Sequence, residues 1–178
     1  MFNYAHLSSI YNIITLSSQP SVIEALTDLL IDTVANGGSV SFMHPLAPEV
    51  ARAFWTSSLA AADRGERVVL GVYDGEMLVA TVTLLLDCPP NQPHRAEIAK
   101  MMTRVSYRGQ GIARSLMQIA ECMAVDRGKT LLNLDTAADE GAAGFYEGLG
   151  FHKAGVIPDY ALKPHGGLTG TIIYWKRI

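Results

Sequence analysis

Cysteine is scarce in this chain: Cys88 and Cys122 are the only two, far apart and outside any C-x-x-C pair. That pattern gives neither a disulfide framework nor a thiolate zinc site. The five histidines, His6, His44, His94, His152 and His165, lack the spacing of metal ligands, so no metal is expected. Basic excess is missing too. A net charge of −3 and a pI near 5.9 leave no electrostatic footprint for nucleic acid. No unbroken apolar run approaches the roughly 20 residues that a membrane span needs. Met1 to Pro20 holds no Lys or Arg and shows no cleavage pattern, so a signal peptide is not supported. Together these absences predict a soluble, cytoplasmic protein without a nucleic-acid or membrane partner.

What the chain does have is apolar side chains, 49% of its 178 residues, ample for a large core in one domain spanning 1–178. Residues 9–17 are rich in β-branched side chains and read as a first strand. Ser18 or Ser21 can cap the next helix, with Pro20 in its first turn. Leu26, Leu29, Leu30 and Val34 form its stripe, and Asn36-Gly37-Gly38 ends it. Residues 39–47 are a loop with large apolar groups. Pro48 opens a second helix with Val50, Phe54 and Leu59 in register, ending near Arg64-Gly65. Strands at 68–73 and 77–86 flank the hairpin signal Asp74-Gly75. A proline-rich turn leads into a strand at 95–103. After a helix to Arg127, the expectation is a strand at 131–135, a helix at 138–149 and a strand from Phe151. The stretch 158–170 reads as loop, and 171–176 as the last strand. The 95–103 and 131–135 strands are joined by a helix crossover and should run parallel.

The informative stretch runs from Arg104 to Leu116, RVSYRGQGIARSL. A strand precedes it, and Ile112, Leu116, Ile119 and Met123 recur at helical spacing after it. Two glycines at a strand-to-helix turn let the backbone approach a ligand closely. The N–H groups of Gly111 to Arg114 then point out of the helix start, a seat for phosphate oxygens. A dinucleotide fingerprint fails because Arg114 stands where its third glycine would be. A P-loop fails because Gly128-Lys129-Thr130 leaves a helix instead of entering one.

Arg108-Gly109-Gln110-Gly111-Ile112-Ala113, read as [QR]-x-x-G-x-[GA], resembles the acyl-CoA pyrophosphate loop of the GNAT superfamily of N-acetyltransferases. Ala142, Phe145-Tyr146 and Gly150-Phe151 resemble the end of that superfamily's domain, with Asp139 where Asn is usual. The whole set, with Arg95-Ala96-Glu97-Ile98 and Leu134-Asp135-Thr136, looks similar to the tabtoxin-resistance type of small-molecule acetyltransferase. The resemblance covers residues 25–177, is strongest at 94–155, and includes the Ser-Phe-Met loop at 41–43. It implies an α/β fold of the acyl-CoA N-acyltransferase type, a mixed sheet of about seven strands flanked by about four helices. It also implies acetyl-CoA as the acyl donor. The backbone of Met101, Met102 and Thr103 would hold its pantetheine arm, and Arg108 to Arg114 its pyrophosphate, with Asp139 also on the cofactor side. Tyr146 is, by the same resemblance, the general acid.

Amide formation from a thioester also needs a base for the amine. Counting by twos along the strand sets Glu97, Ala99, Met101 and Thr103 on one face, which makes Glu97 a first candidate; its other reading is a partner for Arg95. Asp135, at the carboxyl end of its strand, is a second candidate, or else the N-cap of the following helix. Phe42, Met43, Trp55, Asp159 and Tyr160 are candidate walls of an acceptor pocket, with Phe42 and Trp55 equally readable as core. An acidic pocket of Glu97, Asp135 and Asp159 would suit a cationic primary amine, such as an amino acid-like toxin, antibiotic or metabolite. Direct transfer in a ternary complex is expected, because Cys122 falls on the long helix away from the acceptor. Peptide N-acetylation and a non-catalytic acyl-CoA sensor are the rival readings. Open apolar strand edges make a homodimer a candidate assembly.

Overall fold

The computed structural model describes residues 12–139 and 141–178. Its elements, in chain order, are β1 (Ile13–Thr15), α1 (Pro20–Ala35), α2 (Pro48–Asp63), β2 (Arg67–Asp74), β3 (Met77–Leu85), β4 (Arg95–Thr103), α3 (Ile112–Val125), β5 (Leu131–Ala137), α4 (Ala143–Glu147), β6 (His152–Leu162) and β7 (Leu168–Arg177). Seven strands form one mixed sheet in the order β1-β2-β3-β4-β5-β7-β6. This is the α/β architecture the sequence implied. The first-strand expectation narrows to Ile13–Thr15, and residues 9–11 lie outside the described residues. No described helix is long and apolar enough to cross a membrane.

The sheet is buried on both faces at β2 and β3, where helices cover each, while β6 is exposed. On one side α3 packs Ile112, Leu116 and Ala120 against Ala96, Ile98, Leu132 and Leu134. On the other, α1 and α2 bring Leu26, Leu30, Trp55 and Leu59 onto Val69, Leu78 and Met102. The α1 stripe is the one read from its three-and-four spacing, with Leu26, Leu29, Leu30 and Val34 fully buried. Its N-cap is Gln19 rather than either serine, because Pro20 takes the first helical position. In α2 the buried stripe is Ala51, Trp55, Ser58, Leu59 and Ala61: Leu59 is inside as expected, but Ala51 and Trp55 stand in for Val50 and Phe54, and Val50 is exposed. The same periodicity begun one residue later buries the larger indole, so area decides the phase.

Two expectations near the C-terminus fail. Of the stretch 158–170 read as loop, only 163–167 lies between strands: 158–162 belong to β6, and β7 begins at Leu168. The β6–β7 register slips between Ile157 and Ala161, and Asp159 takes φ +52° there. Because β6 is the outermost strand, Pro158 has no inner ladder bond to forfeit, so an edge bulge absorbs it. The expected 138–149 helix shrinks to α4, since Thr136 and Ala137 stay paired with Ile172 and Thr171 on β7. Asp135 is therefore inside a strand and caps no helix. The hairpin closes through Gly75-Glu76, with Asp74 opposite Met77.

β4 and β5 are parallel, and their ladder lasts only three pairs, ending at Glu97 opposite Asn133. Beyond that point β5 stays with β7 through Ala137 and β4 stays with β3 through Thr103. A wedge opens in the middle of the sheet. A cleft runs along it.

Candidate active site

The shape of the wedge comes from a bulge in β4. Thr83 faces Ala99 and Thr81 faces Met102, so Lys100 and Met101 together oppose Val82. Lys100 takes φ +49°. An extra residue inverts the pleat beyond it. Ile98 belongs to the α3-side core, whereas Met102 belongs to the α1/α2-side core although it lies an even number of residues on. Met101 packs toward α3.

The count by twos that set Glu97 beside Met101 and Thr103 therefore does not hold. Glu97 lies before the bulge, on the face opposite Ile98. Its Oε2 accepts from Arg95 Nη1 and from Asn133 Nδ2, each at 3.2 Å, and it does not line the cleft. The alternative pairing with Arg95 is what forms.

The cleft itself measures about 510 Å³. One wall is β4 from Ile98 to Thr103. The other is β5 from Asp135 to Ala137, followed by Ala142, Phe145 and Tyr146. Asp135 is exposed and accepts from Thr171 Oγ1 at 3.1 Å. Tyr146 is 7% exposed, its ring set edge-on to Phe145 at 5.1 Å and to Phe151 at 6.1 Å, and tilted against Tyr174 at 5.9 Å. Three aromatic neighbours hold the single turn of α4 in place and fix where the phenol points.

One end of the cleft is closed by the glycine loop, from which Arg108 and Ala113 contribute to the lining. Gly109 and Gly111 have φ +74° and +84°, and a Cβ built on either would meet nothing within 4 Å. Gly111 is the N-cap of α3, so the first N–H groups of a 14-residue helix open there without helical partners. Arg108 Nε donates to Thr103 O at 3.3 Å, and Gln110 Nε2 to Ser106 O at 3.2 Å. Arg114 Nη1 reaches Gly148 O at 3.3 Å, tying α3 to the end of α4. Arg104 is structural: it donates to Leu78 O and pairs with Asp32 at 3.4 Å.

Other sequence candidates fall elsewhere. Phe42 packs edge-on to Phe54 at 5.3 Å, Trp55 is fully buried, and Met43 is exposed; none of the three lines the cleft. Asp159 is exposed on the β6 bulge outside it, although its neighbour Tyr160 does line it. Asp139 pairs with Lys163 at 3.7 Å. Cys122 sits on α3 away from the cleft, and burial raises its thiol pKa. The acidic pocket expected from Glu97, Asp135 and Asp159 is thus reduced to Asp135. In their place stand Lys100 and Thr171, which had no signal in the sequence, and Ser41 from the Ser-Phe-Met loop. Lys100 carries no pattern of its own, and only the bulge turns it inward.

Residues 26–151 match the acetyltransferase (GNAT) family. The chain belongs to that family. An 83-residue stretch is 35% identical to rat N-acetyltransferase 8B, covering 46% of this chain and 37% of that protein. The human N-acetyltransferase 8B matches at 35% over 82 residues, 45% of this chain and 36% of its own length. The match therefore spans little more than a third of these curated relatives. Among solved structures, an N-acetyltransferase from Staphylococcus aureus superposes with a TM-score of 0.77 at 18% identity, over 93% of this chain and 98% of that one. An aminoglycoside 6′-N-acetyltransferase complexed with coenzyme A gives 0.71 at 19% identity, over 93% and 96%. At such identities the likeness is one of fold, and it agrees with the GNAT fold and the seven-stranded sheet with four helices seen here.

Proposed function

We propose that this GNAT-family chain transfers the acetyl group of acetyl-CoA directly to a primary amine. The observation that carries the reading is convergence. A helix N-terminus opened by two left-handed glycines, a parted strand edge, a buried phenol and an accessible carboxylate all meet along one cleft.

Each of these fits a part of the donor. The open space above Gly109 and Gly111 and the positive end of α3 suit a pyrophosphate, with Arg108 and Arg114 beside it. Past Glu97, β4 has no partner strand on its β5 side, so Met101, Met102 and Thr103 offer backbone groups to an extended amide chain, as a strand would receive a peptide. Acetyl-CoA, when bound, supplies the acyl group as a thioester. Asp135 receives the acceptor's ammonium and takes a proton from it on its carboxylate. Tyr146 holds a proton on its phenol oxygen for the leaving group. Glu97, held by Arg95 and Asn133, positions the root of the wedge instead. Cys122, whose burial disfavours a thiolate, takes no acyl group.

Small amino acid-like toxins, antibiotics and metabolites remain the acceptor class, in line with the tabtoxin-resistance resemblance. The long exposed edge of β6, with Val156, Ile157 and Leu162 at 45–56% exposure, supports a homodimer, which light scattering would test. Thiol release from acetyl-CoA across a panel of amines and peptides, for the wild type and Tyr146→Phe, tests the transferase. Turnover with free amines that collapses in the variant is the expected result. Turnover on peptides alone would reassign the acceptor, and CoA binding without any turnover would make the chain a sensor.

A further inference from the structure

Among the described residues, Lys100 and Ser41 are two of the three non-glycine residues that take positive φ, at +49° and +71°, and both line the same cleft. Lys100 Nζ lies 3.3 Å from Ser41 Oγ and 5.6 Å from the centroid of the Phe54 ring. Two strained residues in mutual contact across a cleft are held there by the surrounding fold. Such strain gathers where a site must present a group in a set place.

What is presented is a cation. Its ammonium carries three donors, of which the serine takes one, and among the described residues it forms no ion pair. Burial lowers its pKa, and the carboxylates of Asp135 and Glu97 counter that only in part. A half-buried cation without a bonded anion is costly to maintain. Asp135 stands on the opposite wall, exposed to the same space. The cleft therefore offers one cationic and one anionic side chain.

We infer that the acceptor is a primary amine that also carries a carboxylate, its ammonium directed to Asp135 and its carboxylate to Lys100. This rests on the transferase reading above and sharpens it: simple diamines and neutral amines would leave Lys100 without an anion and add charge beside it. Ser41 orients the lysine and leaves its remaining donors to the ligand.

The test compares matched acceptors by kcat/KM: amino acids with the amino group at different distances from the carboxylate, each against its amide and its decarboxylated amine. The wild type is expected to prefer the carboxylate form about tenfold or more, the scale of one charge-assisted hydrogen bond. Lys100→Gln is expected to bring that ratio near one, mainly through KM, while CoA still raises the melting temperature as it does for the wild type. Lys100→Glu should invert the ratio in favour of diamines. Decarboxylated amines that react as well as their parents, or a ratio untouched in Lys100→Gln, would overturn the inference and leave the transferase standing. Acetylation of no amine at all would overturn both.

Discussion

The sharpest check on the donor site is a pair of glycine substitutions. Gly111 has φ +84° and Gly65, at the end of α2, has φ +79°, and neither has an atom within 4 Å of where a Cβ would stand. Alanine at either position therefore costs the same thing, a left-handed backbone with a side chain on it, roughly 1–2 kcal/mol, partly offset by a stiffer unfolded chain. For a domain of this size each variant should melt about 2–8 °C lower. The positions differ in what lies above them. Gly65 is on the far side of α2, whereas Gly111 heads the helix that closes the cleft. A methyl group at Gly111 occupies the space in which a pyrophosphate oxygen would meet the backbone. Calorimetric titration with CoA should then show Gly111→Ala binding at least tenfold more weakly, about 1.4 kcal/mol, while Gly65→Ala binds as the wild type does. Equal CoA affinity in the two alanine variants would refute the assignment of the loop.

Four further outcomes follow from the geometry. Tyr146→Phe keeps the aromatic packing and removes one oxygen, so stability should shift by no more than about 1 kcal/mol while kcat falls roughly 10²–10⁴-fold; kcat within threefold of the wild type in a thiol-release assay would remove Tyr146 as the acid. Glu97→Gln should leave turnover within a few-fold and cost about 0.5–1 kcal/mol in urea unfolding, since its partners are structural; loss of activity on the scale of Tyr146→Phe would restore it as the base. Cys122→Ala should retain turnover, and its loss in a folded variant would argue for an acyl-enzyme. Lys100→Met should raise the melting temperature at pH 7. The folded pKa lies below the ordinary 10.5, so the unfolded chain binds that proton more tightly and the charged lysine costs stability at all pH values below its folded pKa. That cost fades as pH rises toward 10.5, so the gain from Met should shrink on the same path, and a variant that melts lower at pH 7 would contradict the burial argument.

Local patterns decided a good deal in advance. The phase of α1 follows from four apolar residues at helical spacing, and the glycine loop from two residues that alone tolerate left-handed φ at a strand-to-helix turn. The parallel pairing of β4 and β5 follows from the crossover between them. Periodicity and backbone sterics act over a few residues, so one chain segment carries the whole signal. It left undecided the phase of α2, where competing apolar faces differed only in the area a fold could bury. Nor could it reveal that Pro158 lies on an edge strand, because only the sheet order says which strand is outermost.

The β4 wall of the cleft was settled by tertiary structure alone. A bulge arises from the pairing of β4 with β3, and no residue in Ala99-Lys100-Met101 announces it. Yet that one extra residue reverses the faces of everything beyond it, so that Met101 and Thr103 no longer share a face with Glu97, and brings Lys100 to Ser41 across 59 residues of chain. Sequence determined the two left-handed glycines and the helix start that they open. Which charged side chains line the cleft was decided by strand register, because register is a relation between segments and is written in neither of them.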